Sequence, residues 1–455
     1  MNRRDFMTMA SSAGLIAGIN SFAKGADEKS IIAGLQINKI TDEEIASLPG
    51  DIKTEIFAPL YEFILNIKAV NNHMHYDDES SSIDWYLNKL VGKNNVQGCG
   101  VLNGLTKLLG IPAKVTESNK SKIRQAYLDY CKTHSQSQYW ADHANLTNTE
   151  NIVFMTQPEM EANKTLASKR FKMCVHIDQY LFPLDNSKIA DRNAQSRMRA
   201  GMNNAILNRE LKVMGLTQLP KKFDDYLGFV KKAFLIQKAV PNIVGGKWAL
   251  SYYRSFDFRP GGIDDAKKAY ENADTSTQAY TKLQDYMAYY VLKLCADHDF
   301  PLQIHSGLGA GNSLVLSDSE PAKMDYILSL EELSKAKVCF LHGGYPFCSQ
   351  LGPMQMSRPN IHIDFSWMTL LLTPDTLANY IKEWLQVASP WNIIFGVDAT
   401  GLAQFYGTWC GRKAVAIALT RMVQQMRISQ EDARGYAAGI MRNNAMKLYS
   451  ATWKS

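Results

Sequence analysis

Histidines and one aspartate stand where short apolar segments of this sequence end. His73 and His75 follow one such segment and are separated by a single residue. Because residues two apart in a strand point to the same side, this spacing aims two imidazoles at one point, as a metal ion requires. Three further apolar segments also end in a residue that can bind a metal or move a proton: His305, His342 and Asp398. One such histidine is commonly a core residue, but the whole set predicts a metal site.

The predicted metal ligands are imidazoles and one carboxylate, from His73, His75, His305 and Asp398. These ligand types suit zinc, with manganese, iron or nickel as alternatives, and the sequence leaves open whether one ion or two bind. Zinc lowers the pKa of a bound water to near 7, so the site predicts attack by water on a substrate. Asp398 would also take a proton from that water, and His342 would act as a general acid and base or polarise a substrate carbonyl.

Two basic residues near another apolar segment are candidates for catalysis or substrate binding. Lys247 ends the sequence Gly245-Gly246-Lys247, and three interpretations of it stay open. It would be carboxylated and bridge a second metal ion, bind an anionic substrate, or be an ordinary solvated lysine. Arg254 would hold a substrate carboxylate through two parallel hydrogen bonds, or form a structural salt bridge.

The elements that must position these residues are short apolar strands alternating with helical patterns. Such alternation predicts a parallel sheet with helical crossovers, and polar residues after the strands are typical of the carboxyl-end rim of a (β/α)8 barrel, where active sites lie. The predicted strands cover residues 68–70, 171–177, 243–244, 301–304, 338–341, 361–365 and 393–395. Helices are predicted at 52–66, 275–297, 321–333, 374–386 and 430–449, and a capping box at Thr41 and Glu44 predicts a further helix start.

Residues 78–170 lack a clear strand pattern and contain several helical stretches, one of them at residues 120–132. We interpret this segment as a helical insertion that follows the first strand and roofs the site. A separate domain is the alternative.

The first residues have the order of a bacterial twin-arginine export signal. Arg3 and Arg4 precede a weakly apolar stretch at residues 7–18, and Ser21-Phe22-Ala23 offers small residues for cleavage. Residues 1–23 are therefore the predicted signal, residues 24–50 a leader and residues 51–455 the barrel. The predicted location is the periplasm, with the twin-arginine export machinery as a partner. The apolar stretch is too short to span a bilayer, so no stable membrane insertion is expected.

The composition is ordinary for a globular protein: 455 residues, of which 46% are hydrophobic and 21% charged. The net charge of +6 comes from scattered residues of both signs, so no nucleic-acid surface is predicted. The seven cysteines include no C-x-x-C pair. We interpret most of them as small buried residues and leave one disulfide open.

The ordered set His73, His75, Lys247, His305, His342 and Asp398 resembles the amidohydrolase superfamily. The resemblance is closer to its amidohydrolase-related branch, which includes uronate isomerase, decarboxylases and a domain fused to glutamine synthetase in fungal and plant proteins. Three segments are most similar to that last group: residues 246–254, residues 341–347 and the ending Asn444-Ala445-x-x-Leu448-Tyr449. The likeness covers about residues 50–450.

This resemblance implies a distorted TIM (β/α)8 barrel with metal at the carboxyl ends of its strands. It implies metal-ligand roles for His73, His75 and Asp398, and for His305 in the mononuclear types. Where the family often has Asp or Thr before H-x-H, this chain has Asn72. Barrels of this family commonly self-associate, so a homo-oligomer is an expectation.

The function expected from the residues and the resemblance is metal-dependent hydrolysis of an amide, lactone or ester in a small molecule that carries a carboxylate. Decarboxylation and isomerisation on the same barrel are the enzymatic alternatives, because fold alone does not select a reaction. A periplasmic binding protein without catalysis is the non-enzymatic alternative.

Overall fold

A computed structural model of the chain describes residues 40–75, 84, 87, 116–133, 141, 144–145, 147–155, 170–399 and 403–453. The predicted export signal, most of the leader and much of the predicted helical insertion lie outside these residues.

Eight strands form one sheet whose neighbours follow chain order. Each neighbouring pair of strands from the third to the seventh is parallel. Backbone hydrogen bonds also join the first strand to the segment after the eighth, from Asn72 N to Phe395 O (3.1 Å) and from Asp398 N to His73 O (2.8 Å). The sheet therefore forms a nearly closed barrel. The strands are β1 (Ala69–His75), β2 (Thr149–Met155), β3 (Phe171–His176), β4 (Ile243–Trp248), β5 (Leu302–His305), β6 (Val338–Leu341), β7 (Ile361–Asp364) and β8 (Ile393–Ile394).

Helices separate most of the strands, and together they confirm the predicted (β/α)8 fold class. In chain order they are α1 (Asp42–Ala46), α2 (Thr54–Asn66), α3 (Lys120–Thr133), α4 (Ser187–Ala190), α5 (Ala194–Val213), α6 (Phe223–Lys238), α7 (Ile263–Glu271), α8 (Thr277–Asp297), α9 (Asp325–Leu328), α10 (Leu351–Ser357), α11 (Met368–Leu371), α12 (Pro374–Val387), α13 (Ala403–Gln424), α14 (Gln430–Ala438) and α15 (Asn444–Leu448).

Local sequence signals explain where several helices begin. The predicted capping box at α1 is present: Glu44 N donates to Thr41 Oγ1 (3.1 Å) and Thr41 N donates to Glu44 Oε2 (3.2 Å). Ser429 and Asp432 form the same reciprocal pair at α14. The hydroxyl of Thr373 accepts from the backbone at the start of α12, where a proline occupies the first turn.

The predicted helical insertion contains a strand, which corrects its extent. The helix expected at residues 120–132 is present as α3, but Thr149–Met155 forms β2, so a helical insertion within 78–170 ends before residue 149. Only the last four residues of β2, Ile-Val-Phe-Met, form an apolar run, and Glu and Asn precede them. Tertiary burial of this segment therefore decides its conformation more than its sequence pattern does.

Two predicted helices are also interrupted. Residues 321–333 form α9 between two short 3-10 turns, and residues 430–449 are divided by a π-helix at Gly439–Asn443.

The chain divides into two compact units. The first comprises residues 1–154, 164–171 and 364–446. Helix α13 is its central element: most of its side chains are buried, and it packs against α2 and α12. The second unit comprises residues 155–163, 172–363 and 447–455. Its strands β4, β5 and β6 are buried along their whole length, as is typical of parallel strands that are covered on both faces.

Among the described residues, no helix combines the length and the apolar character needed to cross a membrane. The five cysteines whose side chains are described are all buried, as predicted for most of them: Cys174, Cys295, Cys339, Cys348 and Cys410. Cys99 and Cys131 have no described side chain.

Candidate metal centre

Strand β1 carries both histidines of the H-x-H motif on one face. His73 is fully buried and His75 lies at the end of the strand, where burial becomes partial. Their rings meet edge to face, with centroids 5.3 Å apart. The alternation of side chains in a strand therefore brings the two imidazoles together, as the spacing predicts.

Backbone pairing between β1 and the segment after β8 brings Asp398 to these histidines. Asp398 N donates to His73 O, and His75 N donates to Ala399 O (3.3 Å). Asp398 has a φ of 52°, a left-handed conformation that aspartate adopts more readily than most residues. Such a conformation persists where surrounding contacts enforce it, and it is common at functional sites.

The three side chains form a group that fits a divalent metal ion. Asp398 Oδ1 lies 3.1 Å from His75 Nε2 and 3.5 Å from His73 Nε2. One ligand atom from each residue lies within 4.8 Å of the others, so an ion about 2.1 Å from each would need only small side-chain movements. The aspartate is buried, and a buried carboxylate is stable when it is paired or bound to a metal. Two imidazoles and one carboxylate are the ligands of many catalytic zinc and iron sites.

A second buried carboxylate, Asp364 at the end of β7, supports the strand that carries these ligands. Asp364 Oδ2 accepts from Asn72 Nδ2 (2.8 Å), and its Oδ1 accepts from Ser366 N (2.7 Å). Burial raises the pKa of Asp364 to about 6, and the charge of Asp398 acts in the same direction. Asn72, the residue that departs from the family pattern, thus connects β1 to β7 through its side chain.

His305 and His342 form a hydrogen-bonded pair within the second unit. His342 Nε2 lies 3.0 Å from His305 Nδ1, and the rings meet edge to face. His305 Nε2 donates to the carbonyl oxygen of Leu308 (2.9 Å), so His305 Nδ1 is the acceptor when both rings are neutral. His342 is fully buried and has a φ of 63°, and the following glycines, 343 and 344, also have positive φ.

The metal-ligand role of His305 therefore stays a prediction. Among the described residues, the group close enough to share an ion consists of His73, His75 and Asp398. Both ring nitrogens of His305 already have hydrogen-bond partners in its own unit, and metal binding would replace one of them.

Lys247 is buried in the middle of the sheet. It is 2% exposed and lies in β4, in register with His176 on β3 and Gln303 on β5. Its interpretation as a solvated surface lysine is wrong. The two functional interpretations, a carboxylated ligand and an anion-binding group, are compatible with such burial and stay predictions.

Arg254 forms the structural salt bridge that the sequence left as its alternative. Its Nη2 donates to Asp285 Oδ1 (2.7 Å), its Nη1 to Gln284 Oε1 (3.1 Å) and its Nε to a backbone carbonyl. Burial lowers the pKa of Arg254, and Asp285 opposes that shift. The guanidinium keeps no pair of parallel donors for a substrate carboxylate, which removes the basis for its predicted substrate-binding role.

Comparison with known families agrees with this constellation. Residues 255–451, which contain His305, His342 and Asp398, match the family model described as Amidohydrolase. This part of the chain is similar to the amidohydrolase family. This confirms the family resemblance found in the sequence.

The protein named FluG of Emericella nidulans is 24% identical to this chain over 229 residues, which are 46% of the chain and 26% of that protein. The chain thus spans about a quarter of that relative.

Several solved structures share the fold of this chain. The uronate isomerase of Thermotoga maritima has a TM-score of 0.65 at 13% identity, covering 88% of this chain and 98% of that one. The glucuronate isomerase of Caulobacter crescentus has a TM-score of 0.63 at 12% identity, covering 91% and 97%. A proposed metal-dependent hydrolase of Lactobacillus casei has a TM-score of 0.59 at 17% identity, covering 86% and 97%.

Two polar groups of this chain received no predicted site role from its sequence. Asp364 ends β7 just as the predicted ligands end their strands, and that position is the signal that could have identified it. His176 ends β3, and its Nδ1 lies 2.7 Å from Asp178 Oδ2. The partner is only two residues away, so a short H-x-D motif after a strand is the signal in this case.

Proposed function

We propose that this chain is a metal-dependent hydrolase of an amide, lactone or ester bond in a small molecule that carries a carboxylate. The observation that carries the proposal is the convergence of His73, His75 and Asp398 on one point. The match of residues 255–451 to the amidohydrolase family model supports the reaction class.

The residues of the chain have distinct roles in this proposal. His73, His75 and Asp398 would hold a divalent ion, most simply zinc, which would polarise the scissile carbonyl and make water a better nucleophile. His342 would hold and release a proton at Nε2, because its hydrogen bond to His305 Nδ1 fixes that nitrogen as the donor. Lys247 would supply a buried positive charge for an anionic substrate or intermediate.

Isomerisation is the second candidate, because two of the similar structures are named uronate and glucuronate isomerase. A paired histidine that moves a proton between neighbouring carbons would serve that reaction as well. Decarboxylation, the third reaction expected from the family, is distinguished from both by its product.

The test is a product analysis on the full chain loaded separately with zinc, manganese, iron and nickel. A panel of lactones, amides and esters of hydroxy acids and sugar acids is incubated in water labelled with heavy oxygen, and products are weighed by mass spectrometry. Hydrolysis adds one labelled oxygen to the product. An unchanged product mass with a new retention time identifies an isomerase, and loss of carbon dioxide identifies a decarboxylase. Isomerisation, decarboxylation, or no turnover with any ion would contradict the proposal.

Metal binding is tested independently of turnover. We expect His73→Ala and Asp398→Ala to lose most of the bound metal, measured by elemental mass spectrometry on the purified chain. His298→Ala is the matched control, because His298 follows α8 and contacts Phe234 instead of the ligand group. Equal metal content in all variants would show that these residues are not ligands.

We also propose that the chain is exported to the periplasm through its twin-arginine signal. The order of Arg3, Arg4, the apolar stretch and the small residues at 21–23 supports this location.

A further inference from the structure

Arg199 on helix α5 is a half-buried arginine held in one orientation. Its guanidinium carbon lies 3.5 Å from the centre of the Tyr252 ring, so the planar group stacks on the aromatic face. Its Nε donates to Ser313 Oγ (3.1 Å), and Ser313 is fully buried. These two contacts hold the guanidinium by its face and by its Nε. Neither contact uses the edge formed by Nη1 and Nη2.

The Nη edge of Arg199 meets no acceptor among the described residues, and no carboxylate there lies within ion-pair distance of it. Other partly buried arginines of the chain differ in this respect. Arg254 is paired with Asp285, and Arg358 with Asp325. A cation that is partly withdrawn from water and has no acidic partner favours binding of an anion.

The aromatic ring under Arg199 leads directly to the histidine pair. The ring of Tyr252 lies 4.7 Å from that of His305, which is hydrogen-bonded to His342. Tyr252 is itself fixed, since its hydroxyl accepts from Ala310 N (3.0 Å). One ring thus separates the open guanidinium edge from side chains to which we assign proton transfer.

We propose that Arg199 binds the carboxylate of the substrate through Nη1 and Nη2. Two parallel N–H groups on a rigid plane match the two oxygens of a carboxylate. This inference rests on the proposed function, because it assumes a substrate with a carboxylate. It gives to Arg199 the role that the sequence predicted for Arg254.

The first experiment measures the accessibility of the guanidinium and needs no turnover. The zinc-loaded full chain is treated with phenylglyoxal, which modifies guanidinium groups that no acceptor holds, and the sites are mapped by peptide mass spectrometry. We expect Arg199 to react and Arg254 to be protected, with the exposed Arg427 as a reactive control. Acetate, benzoate, D-gluconate and D-glucuronate are then tested as competitors, each against its neutral amide. At least one carboxylate should slow the modification of Arg199 while its amide does not. The inference is overturned if none does, or if the amides protect equally.

The second experiment compares Arg199 with Arg192, which also donates a hydrogen bond to Ser313. Arg192 donates to the carbonyl oxygens of Tyr253 and Ser313, so both of its Nη groups are occupied. For the best-protecting carboxylate, we expect Arg199→Ala to raise the Kd measured by calorimetry about 10- to 100-fold, and Arg199→Lys to raise it less. Arg192→Ala should leave the Kd unchanged. If holding Ser313 in place were the only role of Arg199, both alanine variants would weaken binding alike. That result, or an unchanged Kd in Arg199→Ala, overturns the inference.

These outcomes separate the inference from the proposed function. Carboxylate binding that depends on Arg199 without any hydrolysis leaves the inference standing and contradicts the hydrolase. Hydrolysis of a carboxylate substrate with the same KM in wild type and Arg199→Ala contradicts the inference alone.

Discussion

Because Gly396 has no side chain, the carboxylate of Asp364 can lie directly against its backbone. A Cβ at this position would lie less than 3.0 Å from Asp364 Oδ2 and from the Ser366 side chain. Asp364 in turn accepts the hydrogen bond from Asn72, next to the proposed ligand His73. Partners that orient metal ligands in this way typically change metal affinity about 10- to 100-fold when they are lost.

We therefore expect Gly396→Ala to weaken zinc binding about 10- to 100-fold, measured by competition with a chelator. Gly228→Ala in α6 is the matched control, because nothing lies within 4 Å of the added methyl group. Equal zinc affinities in Gly396→Ala and wild type would mean that Asp364 does not support the ligands.

Glu210 gives the second unit a pH-dependent stability. Burial raises its pKa to about 7, although Tyr180 OH (2.9 Å) and Gln237 Nε2 donate to its Oε1. Because the pKa is higher in the folded state than in the unfolded state, protonated Glu210 stabilises the fold. This contribution to the free energy of unfolding is complete below about pH 4.5 and is lost as pH rises through about 7. We expect the stability of wild type relative to Glu210→Gln to fall by as much as about 3 kcal/mol over this range, measured by urea unfolding. The exposed Glu332→Gln should show no such trend, and a flat difference for Glu210→Gln would contradict the assignment.

At the scale of elements, one buried arginine on α13 joins three segments of the first unit. Arg412 Nη1 donates to the carbonyl oxygens of Ile64 and Leu65, at the end of α2. Its Nη2 donates to Ile67 O (2.9 Å), which lies just before β1. The same nitrogen donates to the carbonyl oxygens of residues 147 and 148, which directly precede β2. Burial lowers the pKa of Arg412 to about 10. The strand that carries the proposed metal ligands is thus attached to the central helix through hydrogen bonds to the backbone.

Arg412→Lys should therefore lower the free energy of unfolding by about 3 kcal/mol or more. A single ammonium cannot donate at the same time to the carbonyl oxygens at the end of α2 and to those just before β2. The measurement is denaturant unfolding, and the exposed Arg427→Lys is the control. A change no larger than in the control would show that these hydrogen bonds contribute little.

For the whole molecule, the proposed export depends on residues that precede the barrel. We expect the double change Arg3→Lys and Arg4→Lys to keep the protein out of the periplasmic fraction, because the twin-arginine pair is the central part of the proposed export signal. The assay is cell fractionation followed by immunoblotting. Lys24→Arg lies beyond the predicted signal and should have no effect. Periplasmic protein at wild-type levels in the double variant would contradict export by this route.

The sequence alone determined the features that depend on short separations. The H-x-H spacing on β1 follows from strand alternation, and the capping box at Thr41 follows from residues three apart. Apolar segments ending in His305, His342 and Asp398 indicated the alternating fold, because buried parallel strands consist of such runs.

Only the tertiary structure decided which partner each isolated polar residue has. Arg254 could have been a clamp or a salt bridge, and Asp285, which lies 31 residues away on α8, resolved the choice. Arg199 gave no local signal, because its role depends on Tyr252, 53 residues later, and on the lack of an acidic neighbour in the described structure. The physical reason is that side-chain pairing across a barrel is set by strand register and helix placement, which no local pattern encodes.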